Sequence, residues 1–585
     1  MDKFSKTKNF FQKISKINKI KQAITLMSLK EFLVFLILSI VMTVSAIFIL
    51  WNINQKFMVE IPSFGGLLTE GVIGSPRFVN PILSISDVDE SLTALIYSGL
   101  MRKTVNGNMV ENLAESYNVS KDGLVYTFKL KSNIYFHDKK PITADDVVFT
   151  INKAKDSILK SPKRINWEGI TATKIDDSTV QFNLKQPYSS FLENTTLGIL
   201  PSHVWKNIPP DQFSFSKFNI EAIGSGPYKI DSIKSGPSGP EQYSLLSFNE
   251  FILGKPFIKK LIIKFYGNEK DLLSALETNK VDQISEVTPN NAETLKSKGY
   301  VIKTAVLPRI FGLFFNQNQA PIFTDKNIIK ALNNAIDRDK IVEKVLKGYG
   351  QSIYSPVPAG IIKNEDSKNK FSPENIDIAK KILSDDGWKM GENGILEKKT
   401  INNKKKSAIR KLSFSISTSD TPELKEAAEI IKEDLAKIGI AVEVKTFELG
   451  SLNQNVIRQR KYDALLFGQV ITYDSDLYAF WHSSQIKDPG LNIAIYTNTK
   501  VDKILEKALS AKDGKSELED YIELEKEITK DQPAVFIYSP EFIYISDKTI
   551  GGQEMGRIDT QSDRFLDIYK WFIETDKIWK IFYNK

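Results

Sequence analysis

A long uncharged run near the start of the chain is its most pronounced hydrophobic feature. Residues 32–55 contain no charged side chain, and as a helix with a rise of about 1.5 Å per residue they would extend about 36 Å. This length exceeds the hydrocarbon thickness of a bilayer, which is about 30 Å. Lysines precede the run and Trp51 lies near its end, as in a helix whose amino-terminal side is cytoplasmic. The pattern predicts a basic cytoplasmic tail over 1–31, a transmembrane anchor over 32–55 and an extracytoplasmic body.

A cleaved signal peptide and a buried core helix are the alternative interpretations of this run. A signal peptide has a shorter apolar stretch, and small residues follow that stretch at the cleavage site. Val44-Ser45-Ala46 matches such a site poorly, because the apolar run continues to Leu50. We adopt the uncleaved anchor, and whether the helix is removed stays open at this point.

After the anchor, strand and helix patterns are mixed along the chain. Apolar and polar residues alternate over 124–130, as in a strand with one buried face. Residues 421–438 begin with Thr-Pro-Glu and carry apolar residues at helical spacing, Gly439 ends this helix, and 440–444 resume the strand pattern. Units of helix, glycine and strand predict α/β layers in the region 310–530.

Composition excludes several classes of protein. The 585 residues include no cysteine and three histidines, which rules out disulfides, cysteine-ligated metals and thiol catalysis. The net charge is +8, but residues 1–31 hold eight lysines against two acidic residues, which gives +6 and leaves +2 for the rest of the chain. The basicity therefore belongs to the predicted tail and does not indicate nucleic-acid binding.

The sequence offers no catalytic motif. Residues 514–516 (Gly-Lys-Ser) resemble the end of a phosphate loop, but the glycine that begins such a loop is missing. The adjacent acids Asp145 and Asp146 do not share a face of a helix or strand, so we interpret them as helix-capping residues. His137 and His203 are interpreted as structural. We therefore predict no enzymatic activity, no catalytic residue, no metal and no cofactor.

The stretch from Leu113 to Val148 carries the most specific pattern in the chain. It reads LAESYNVSKDGLVYTFKLKSNIYFHDKKPITADDVV. This stretch resembles the signature of the family 5 extracellular solute-binding proteins, the peptide-binding components of ABC importers. One departure is Lys139, which stands where the family has glycine and implies a different turn. Further matches follow in the family's order at Pro201-Ser202-His203, Gly224–Tyr228, Ala331–Arg338, Ala379–Trp388 and Tyr521–Pro533.

The resemblance implies an α/β fold, namely a two-lobed periplasmic-binding-protein clamshell of type II, similar to cluster C, with an extra subdomain and one preceding transmembrane helix. Ligand then binds between the lobes, and closure about a two-stranded hinge buries it. The chain is expected to cross between the lobes near 306–309 and 531–535. The expected limits are 60–309 for lobe I, 116–225 for its subdomain, 310–530 for lobe II, and 531–585 for the return to lobe I and the C-terminal segment.

The resemblance also indicates where the amino group of a peptide is expected to bind. Many members place an aspartate four residues after a glycine, where it pairs with the ligand's α-ammonium group. Here Gln469 follows Gly468 at the family's tryptophan position, and Thr472 stands at the position of that aspartate. Either Asp474 or Asp476 therefore replaces the missing acid, or the ligand is not a peptide with a free amino group.

Other ligand contacts are expected on both lobes. Trp481 is expected to stack on ligand and His482 to hydrogen-bond it, with core packing and a structural role as the respective alternatives. Arg77 of lobe I is expected to receive a carboxylate or to lie at the surface without a ligand. The complete set of expected ligand-binding residues is Arg77, Asn316, Gln469, Tyr473, Asp474, Asp476, Trp481, His482 and Asn492.

These observations together predict a receptor in the cell membrane, crossing it once, that captures peptides outside the cytoplasm and delivers them to ABC permease subunits. The receptor is expected to be a monomer without a nucleic-acid partner. The alternative is the same clamshell with a non-peptide solute, such as an oligosaccharide or a metal chelate, or with a role as a sensor or scaffold.

Overall fold

The computed structural model describes residues 27–187, 190–237, 239–358, 371–401, 407–471, 474–509 and 514–583. Its strands are β1 (Met58–Pro62), β2 (Gly65–Ile73), β3 (Met101–Lys103), β4 (Met109–Glu111), β5 (Ala114–Val119), β6 (Val125–Leu130), β7 (Thr171–Asp176), β8 (Thr179–Asn183), β9 (Tyr228–Gly236), β10 (Gly239–Ser247), β11 (Ile258–Tyr266), β12 (Gln283–Ser285), β13 (Val301–Val306), β14 (Arg309–Phe315), β15 (Gly350–Ser352), β16 (Lys389–Met390), β17 (Leu396–Ile401), β18 (Ser407–Lys411), β19 (Ser413–Ser419), β20 (Ala441–Phe447), β21 (Ala464–Val470), β22 (Ala534–Ser546) and β23 (Thr575–Trp579). Its longer helices are α1 (Leu29–Phe57), α2 (Asp87–Ile96), α3 (Ala144–Lys155), α4 (Glu269–Glu277), α5 (Pro289–Ser297), α6 (Lys326–Ala335), α7 (Arg338–Leu346), α8 (Pro373–Asp385), α9 (Pro422–Ala436), α10 (Asp474–Trp481), α11 (Thr499–Leu509) and α12 (Gly514–Asp531).

The first of two compact units contains α1 and the ribbon of β1 and β23. Ser28 caps α1, since its hydroxyl accepts from the Glu31 N–H at 3.5 Å while the Glu31 carboxylate accepts from the Ser28 N–H at 2.9 Å. No side chain of α1 is buried, and the helix is long and apolar enough to cross a membrane. β1 and β23 are antiparallel, with Met58 opposite Trp579, and the Phe57 ring stacks on the Trp579 ring at 6.5 Å. The helix extends slightly beyond the predicted run at both ends.

The second unit, residues 64–573, is built around one large sheet. Within the described ranges the sheet has 12 strands, in the order β20-β19-β21-β14-β22-β12-β2-β11-β10-β9, with β13 and β15 also paired to β22. β22 is 13 residues long. Its first half pairs with β14 and its second half with β13. The sheet is therefore continuous through β22 from one half of the unit to the other.

Buried apolar side chains divide this unit into two lobes with separate cores. Lobe I takes its core from residues 68–307 and 542–571, and lobe II takes its core from residues 310–528 and 534–538. Tyr349 is an exception, because it lies between lobe II elements in the sequence but packs in a core of lobe I. Since the two cores share no other side chains among the described residues, each lobe can keep its own packing while the cleft between them changes.

The lobes are joined by β22 and by the pair β13 and β14, which run beside it. The first crossing lies at Leu307, whose carbonyl oxygen accepts a hydrogen bond from the Ser539 hydroxyl at 3.0 Å. β22 pairs with β15 as far as Pro540 and with β13 from Glu541 onward. The second crossing therefore lies later than the expected residues 531–535, because β22 is a single strand without a break between the lobes.

The sheet β5-β6-β8-β7 and α3 form a subdomain of lobe I. At the start of α3, the Thr143 N–H donates to the Asp146 carboxylate at 2.9 Å, and the other oxygen of Asp146 accepts from the Ser202 N–H at 2.9 Å. His203 pairs with Asp138 at 2.7 Å. All five residues belong to the stretches that carry the resemblance. That part of the pattern therefore reflects packing rather than ligand binding.

The segment containing Gly224 and Gly226 packs against the end of α2. A Cβ atom on Gly224 would collide with the Ile96 carbonyl oxygen, which accepts a hydrogen bond from the Gly226 N–H at 2.8 Å. His137 supports this segment: Nε2 lies 3.1 Å from the Gly226 carbonyl, and Nδ1 accepts from the Gly224 N–H at 3.3 Å. Burial lowers the pKa of His137 to about 4. The imidazole is therefore neutral and structural, as the sequence analysis interpreted it.

Candidate functional site

The directions of the strands place the carboxyl ends of the two lobes' parallel strands opposite each other. β21 and β22 are both antiparallel to β14, so they point the same way, from lobe II toward lobe I. β12 is antiparallel to β22 and parallel to β2, so these two strands point from lobe I toward lobe II. In open α/β sheets, ligands bind beyond the carboxyl ends of the strands. The candidate site is therefore the cleft between the lobes, with the loops after β2 and β12 on one wall and the loops after β19 and β21 on the other.

The loop after β2 carries Arg77. Asp89, in the first turn of α2, accepts hydrogen bonds from the N–H groups of Arg77 at 2.7 Å and Phe78 at 2.8 Å, which fixes the loop through its backbone. The Arg77 side chain is exposed, and its guanidinium lies over the Phe78 ring, 5.1 Å from the centroid. No described acidic residue forms an ion pair with it. The cation therefore stays available to a ligand.

The loop after β12 brings a carboxyl group to the lobe I wall. Glu286 directly follows Ser285, the last residue of β12, and has a left-handed backbone with φ +62°. Its Oε1 atom is buried, with no hydrogen-bond partner among the described residues. Burial, aided by the nearby carboxylates of Asp87 and Glu70 and opposed by Arg564, raises the pKa of Glu286 to about 7. This wall therefore holds a carboxyl group with spare hydrogen-bonding capacity.

A buried ion pair lies near Glu286. Arg564 Nε donates to Glu70 Oε1 at 2.8 Å, and both side chains are 0% exposed. The Tyr544 hydroxyl donates to the other Glu70 oxygen at 2.6 Å, and Arg564 Nη1 donates to the Ser91 hydroxyl at 3.0 Å. The network joins β2, α2, β22 and the segment after β22, so it holds the lobe I wall together beside the hinge.

On the lobe II wall, Gln469 lies next to the last residue of β21. Its side chain is 2% exposed, and neither its amide oxygen nor its nitrogen has a hydrogen-bond partner within the described part of the chain. It lies opposite Ile310, near the start of β14 and the hinge. A buried polar group that loses its contacts with water costs roughly 1–3 kcal/mol unless it is paired. Such a group at the edge of a cleft requires a partner other than the described side chains, such as water or a ligand.

Arg309, the first residue of β14, connects the two walls electrostatically. Burial lowers the pKa of its guanidinium, and the carboxylate of Asp87 in lobe I raises it in part. Beside Arg309, the Phe311 ring stacks on Tyr538 at 4.8 Å and lies against Gly468, where a Cβ atom would approach the ring to 2.7 Å. Lobe II is therefore tightly packed at the hinge, with one cation facing lobe I.

The loop expected to bind an ammonium group follows β21 directly. The Ile471 N–H donates to the Pro308 carbonyl at the first crossing, at 2.8 Å. Tyr473 lies outside the described residues, and Asp474 and Asp476 lie in the first turn of α10. Both aspartates therefore belong to the segment that leaves the hinge side of lobe II.

Trp481 and His482 lie at the far end of α10. Trp481 is 0% exposed, and three aromatic rings of the lobe II core surround it at centroid distances of 5.8 to 6.4 Å. The His482 ring stacks on Tyr478 at 4.2 Å, and its Nε2 atom lies 3.5 Å from the Glu506 carboxylate. Trp481 therefore packs in the core and His482 has structural contacts, which are the alternatives that the sequence leaves open for these two residues.

Asn492 and Asn316 use their amides within lobe II. Asn492 Nδ2 donates to the carbonyls of Tyr496 at 2.9 Å and His482 at 3.2 Å, and its Oδ1 accepts from the Tyr496 N–H at 3.2 Å. Asn316 Nδ2 donates to the Arg460 carbonyl at 2.8 Å. Asn316 follows β14, which runs away from the hinge, so it lies at the opposite end of the strand from the cleft. The amides of both residues thus hydrogen-bond to backbone groups of lobe II, whereas the sequence analysis expects them to contact ligand.

Three charged residues of the walls were missed by sequence reasoning. Glu286 offered little signal, because the short strand before it, Gln283-Ile284-Ser285, contains one apolar residue. Asp87 follows Ser86, which caps α2, and so it has the pattern of an ordinary helix start. Arg309 was included in the expected crossing 306–309, but the pattern does not show which lobe its charge faces.

The sequence as a whole matches a known family. Residues 108–488 match the bacterial extracellular solute-binding proteins, family 5 (middle). The oligopeptide-binding protein AppA of Bacillus subtilis is 30% identical over 506 residues, which cover 84% of this chain and 89% of AppA. The chain belongs to family 5 of the bacterial extracellular solute-binding proteins.

Solved structures of two relatives share the fold of this family 5 protein. AppA of Bacillus subtilis in complex with a nonapeptide is 28% identical, with a TM-score of 0.62 over 88% of this chain and 100% of that one. NikZ from Campylobacter jejuni in complex with Ni(L-His) is 26% identical, with a TM-score of 0.65 over 87% of this chain and 99% of that one. The expected α/β two-lobed fold is confirmed.

Family 5 proteins are extracytoplasmic binding proteins of ABC importers and are not enzymes. This agrees with the absence of a catalytic motif from the sequence. As a member of this family, the chain binds a solute and works with an ABC importer. The side chains of the cleft indicate the chemistry of that solute.

Proposed function

We propose that this family 5 protein is a membrane-anchored receptor that binds a peptide between its lobes and delivers it to an ABC importer. The observation that carries the proposal is the buried amide of Gln469 beside the hinge, for which no other described residue provides a hydrogen-bond partner. A carboxamide both donates and accepts hydrogen bonds, as does the main chain of an extended peptide. The complex of AppA with a nonapeptide, in the same fold, supports a peptide as the ligand.

Charged groups on the two walls would bind the ends of the peptide. The exposed guanidinium of Arg77 in lobe I receives the carboxylate, because bidentate hydrogen bonds make arginine the preferred partner of that group. Asp474 or Asp476, at the start of α10, binds the α-ammonium group, and Tyr473 precedes them in the sequence. Water fills the pockets around the peptide side chains, so that peptides of many sequences are accepted.

The helix α1 would act as the anchor. It is apolar, unburied and 29 residues long, and an anchored receptor stays at high effective concentration near its permease. The intact mass of the protein purified from membranes tests this part of the proposal. A mass that includes residues 1–57 supports the anchor, and a chain that begins after the helix shows a cleaved signal peptide.

Peptide binding is tested on the full chain reconstituted in lipid nanodiscs. Native mass spectrometry first identifies the ligand that co-purifies, and calorimetry then measures the affinity for that peptide. The Gln469→Leu variant should bind about tenfold more weakly, because about 1.4 kcal/mol corresponds to the loss of one or two hydrogen bonds. Gln459→Leu is the matched control, because Gln459 is exposed and lies before the amino end of β21; it should bind as the wild type does.

The charged ends are tested with paired peptides. Wild type should prefer a peptide with a free carboxyl group to the same peptide with a C-terminal amide, and Arg77→Gln should lose this preference. A co-purified mass that belongs to a metal chelate or a sugar, together with no heat on titration of peptides, would refute the peptide proposal. A chelate would then be favoured, as in the complex of NikZ with Ni(L-His).

A further inference from the structure

The residues after β23 form an exposed apolar segment in the first compact unit. Ile581 and Phe582 are 72% and 74% exposed, and Trp579 and Tyr583 are each 42% exposed. Lys580 stands between the aromatic residues, and it forms no ion pair with any described residue. Soluble proteins rarely leave contiguous apolar side chains uncovered without a partner. Residues 579–583 therefore need a surface that accepts both aromatic and cationic side chains.

The ribbon places this segment beside the end of α1. β1 leads away from the helix, and β23 returns antiparallel to it, so that Trp579 lies opposite Met58, the residue directly after the helix. The Phe57 and Trp579 rings stack at 6.5 Å with an interplanar angle of 13°. Residues 580–582 follow β23 directly and form a 3-10 turn, in which the Tyr583 N–H donates to the Lys580 carbonyl at 3.2 Å. The start of the apolar segment is thus held next to the last turn of α1 by the ribbon and by ring contact, and the turn keeps the remaining residues close to that start.

The length of α1 places its last turn at the level of the lipid headgroups. With 29 residues, the helix extends about 43 Å at about 1.5 Å per residue, which exceeds the hydrocarbon core of about 30 Å. The last turn carries Lys56 and Phe57, and Trp51 lies two turns earlier. Tryptophan, tyrosine and lysine are the residues that collect at membrane interfaces. Residues 579–583 bring the same residue types to the same level.

We propose that residues 579–583 insert into the outer headgroup region of the membrane beside α1, so that the chain contacts lipid at two separate places in its sequence. The inference rests on the anchor proposed above. Aromatic rings and Ile581 enter the interface, and Lys580 lies among the phosphate groups of anionic lipid. The occupant is the bilayer itself, because Trp579 stacks on Phe57 in the last turn of α1, and α1 is the helix proposed to cross the membrane.

The absence of cysteine from the chain makes a site-specific test direct. Single cysteines carry a nitroxide label in the full chain, reconstituted into vesicles of phosphatidylcholine and phosphatidylglycerol. Collision with oxygen reports lipid, and collision with a water-soluble nickel complex reports solvent. Leu38→Cys, within α1, marks the bilayer, and Lys121→Cys, at an exposed turn of the second unit, marks the solvent.

The label at Tyr583→Cys should collide more often with oxygen than with nickel, between the values of the two references. If position 583 is as accessible to nickel as position 121 while position 38 is in lipid, the inference is overturned and the anchor stands. If position 38 is itself accessible to nickel, the anchor of the proposed function fails. The two failures are therefore distinguishable.

A second set of variants separates insertion from mere nearness to the membrane. With the label at position 583, replacement of Trp579 and Ile581 by serine should shift the label toward the solvent value. Serine at Ile165 and Phe215, which are 78% and 87% exposed in the second unit, is the matched control and should leave the label unmoved. An unchanged label after the first replacement would show that the apolar side chains do not drive the contact.

Discussion

Removal of Arg564 should destabilise lobe I strongly. Arg564 and Glu70 are both 0% exposed and 2.8 Å apart. In Arg564→Met the Glu70 carboxylate keeps the Tyr544 hydroxyl, at 2.6 Å, but loses the one cation bonded to it in the described chain. Breaking a buried ion pair by removing one partner costs about 3–5 kcal/mol, because the other charge stays buried. Urea unfolding of the full chain, followed by tryptophan fluorescence, should show this loss in the free energy of unfolding.

Two further variants make the test specific to an unpaired buried charge. Lys129→Met breaks the pair with Glu115, which is 2.8 Å long but has side chains 60% and 53% exposed, and should cost no more than about 1 kcal/mol. The double variant Glu70→Met with Arg564→Met should recover much of the loss, since no charge is then left unpaired. An Arg564→Met protein within about 1 kcal/mol of wild type would refute the assignment of a buried, charged pair.

Three other outcomes follow from the structure. Gly224→Ala should lower the free energy of unfolding by several kcal/mol, because its Cβ meets a backbone carbonyl. Gly267→Ala, with open space around its Cβ, should unfold at nearly the wild-type urea concentration. Equal unfolding midpoints for the two variants would contradict the close packing at Gly224. The raised pKa of Glu286, about 7, means that the folded protein holds a proton that the unfolded chain releases. The free energy of unfolding of wild type should therefore fall as pH rises from about 4.5 to 7. Glu286→Gln should lack this fall, and parallel pH profiles of the two proteins would refute the raised pKa. The lowered pKa of His137, about 4, acts in the opposite direction: wild type should lose stability relative to His137→Gln as pH falls from about 6.5 to 4, and a pH-independent difference would contradict a buried neutral imidazole.

The sequence predicted well those features that short segments determine. The helix over 421–438 and its stop are found as α9, with Gly439 at φ +80°. The apolar run 32–55 is found within α1, because an unbroken apolar stretch needs no tertiary contact to specify a helix. The family fold was also predictable, since the motifs behind the resemblance pack the subdomain, and packing residues keep their spacing along the chain.

Residues of the cleft were harder to predict, because their positions depend on strand direction and on distant segments. Asn316 follows the hinge strand in sequence, but β14 carries it away from lobe I. Glu286 and Arg309 meet the cleft only through the arrangement of β12 and β14 on the two sides of β22, which no local pattern reveals. Gln469 was identified from the resemblance alone, and the lack of a described hydrogen-bond partner for its buried amide depends on tertiary packing, which no local pattern reveals.

The continuous strand β22 has a consequence for how the protein can change in length. A residue inserted near the middle of β22 would turn every later side chain of the strand to the opposite face, since the side-chain period of a strand is two. The apolar residues that Phe542–Ile545 contribute to the lobe I cores would then be misplaced, while the contribution to lobe II stayed correct. Loops at the cleft bear no such constraint. Residues can therefore be added to or removed from those loops without moving either core, while the length of β22 has to stay fixed.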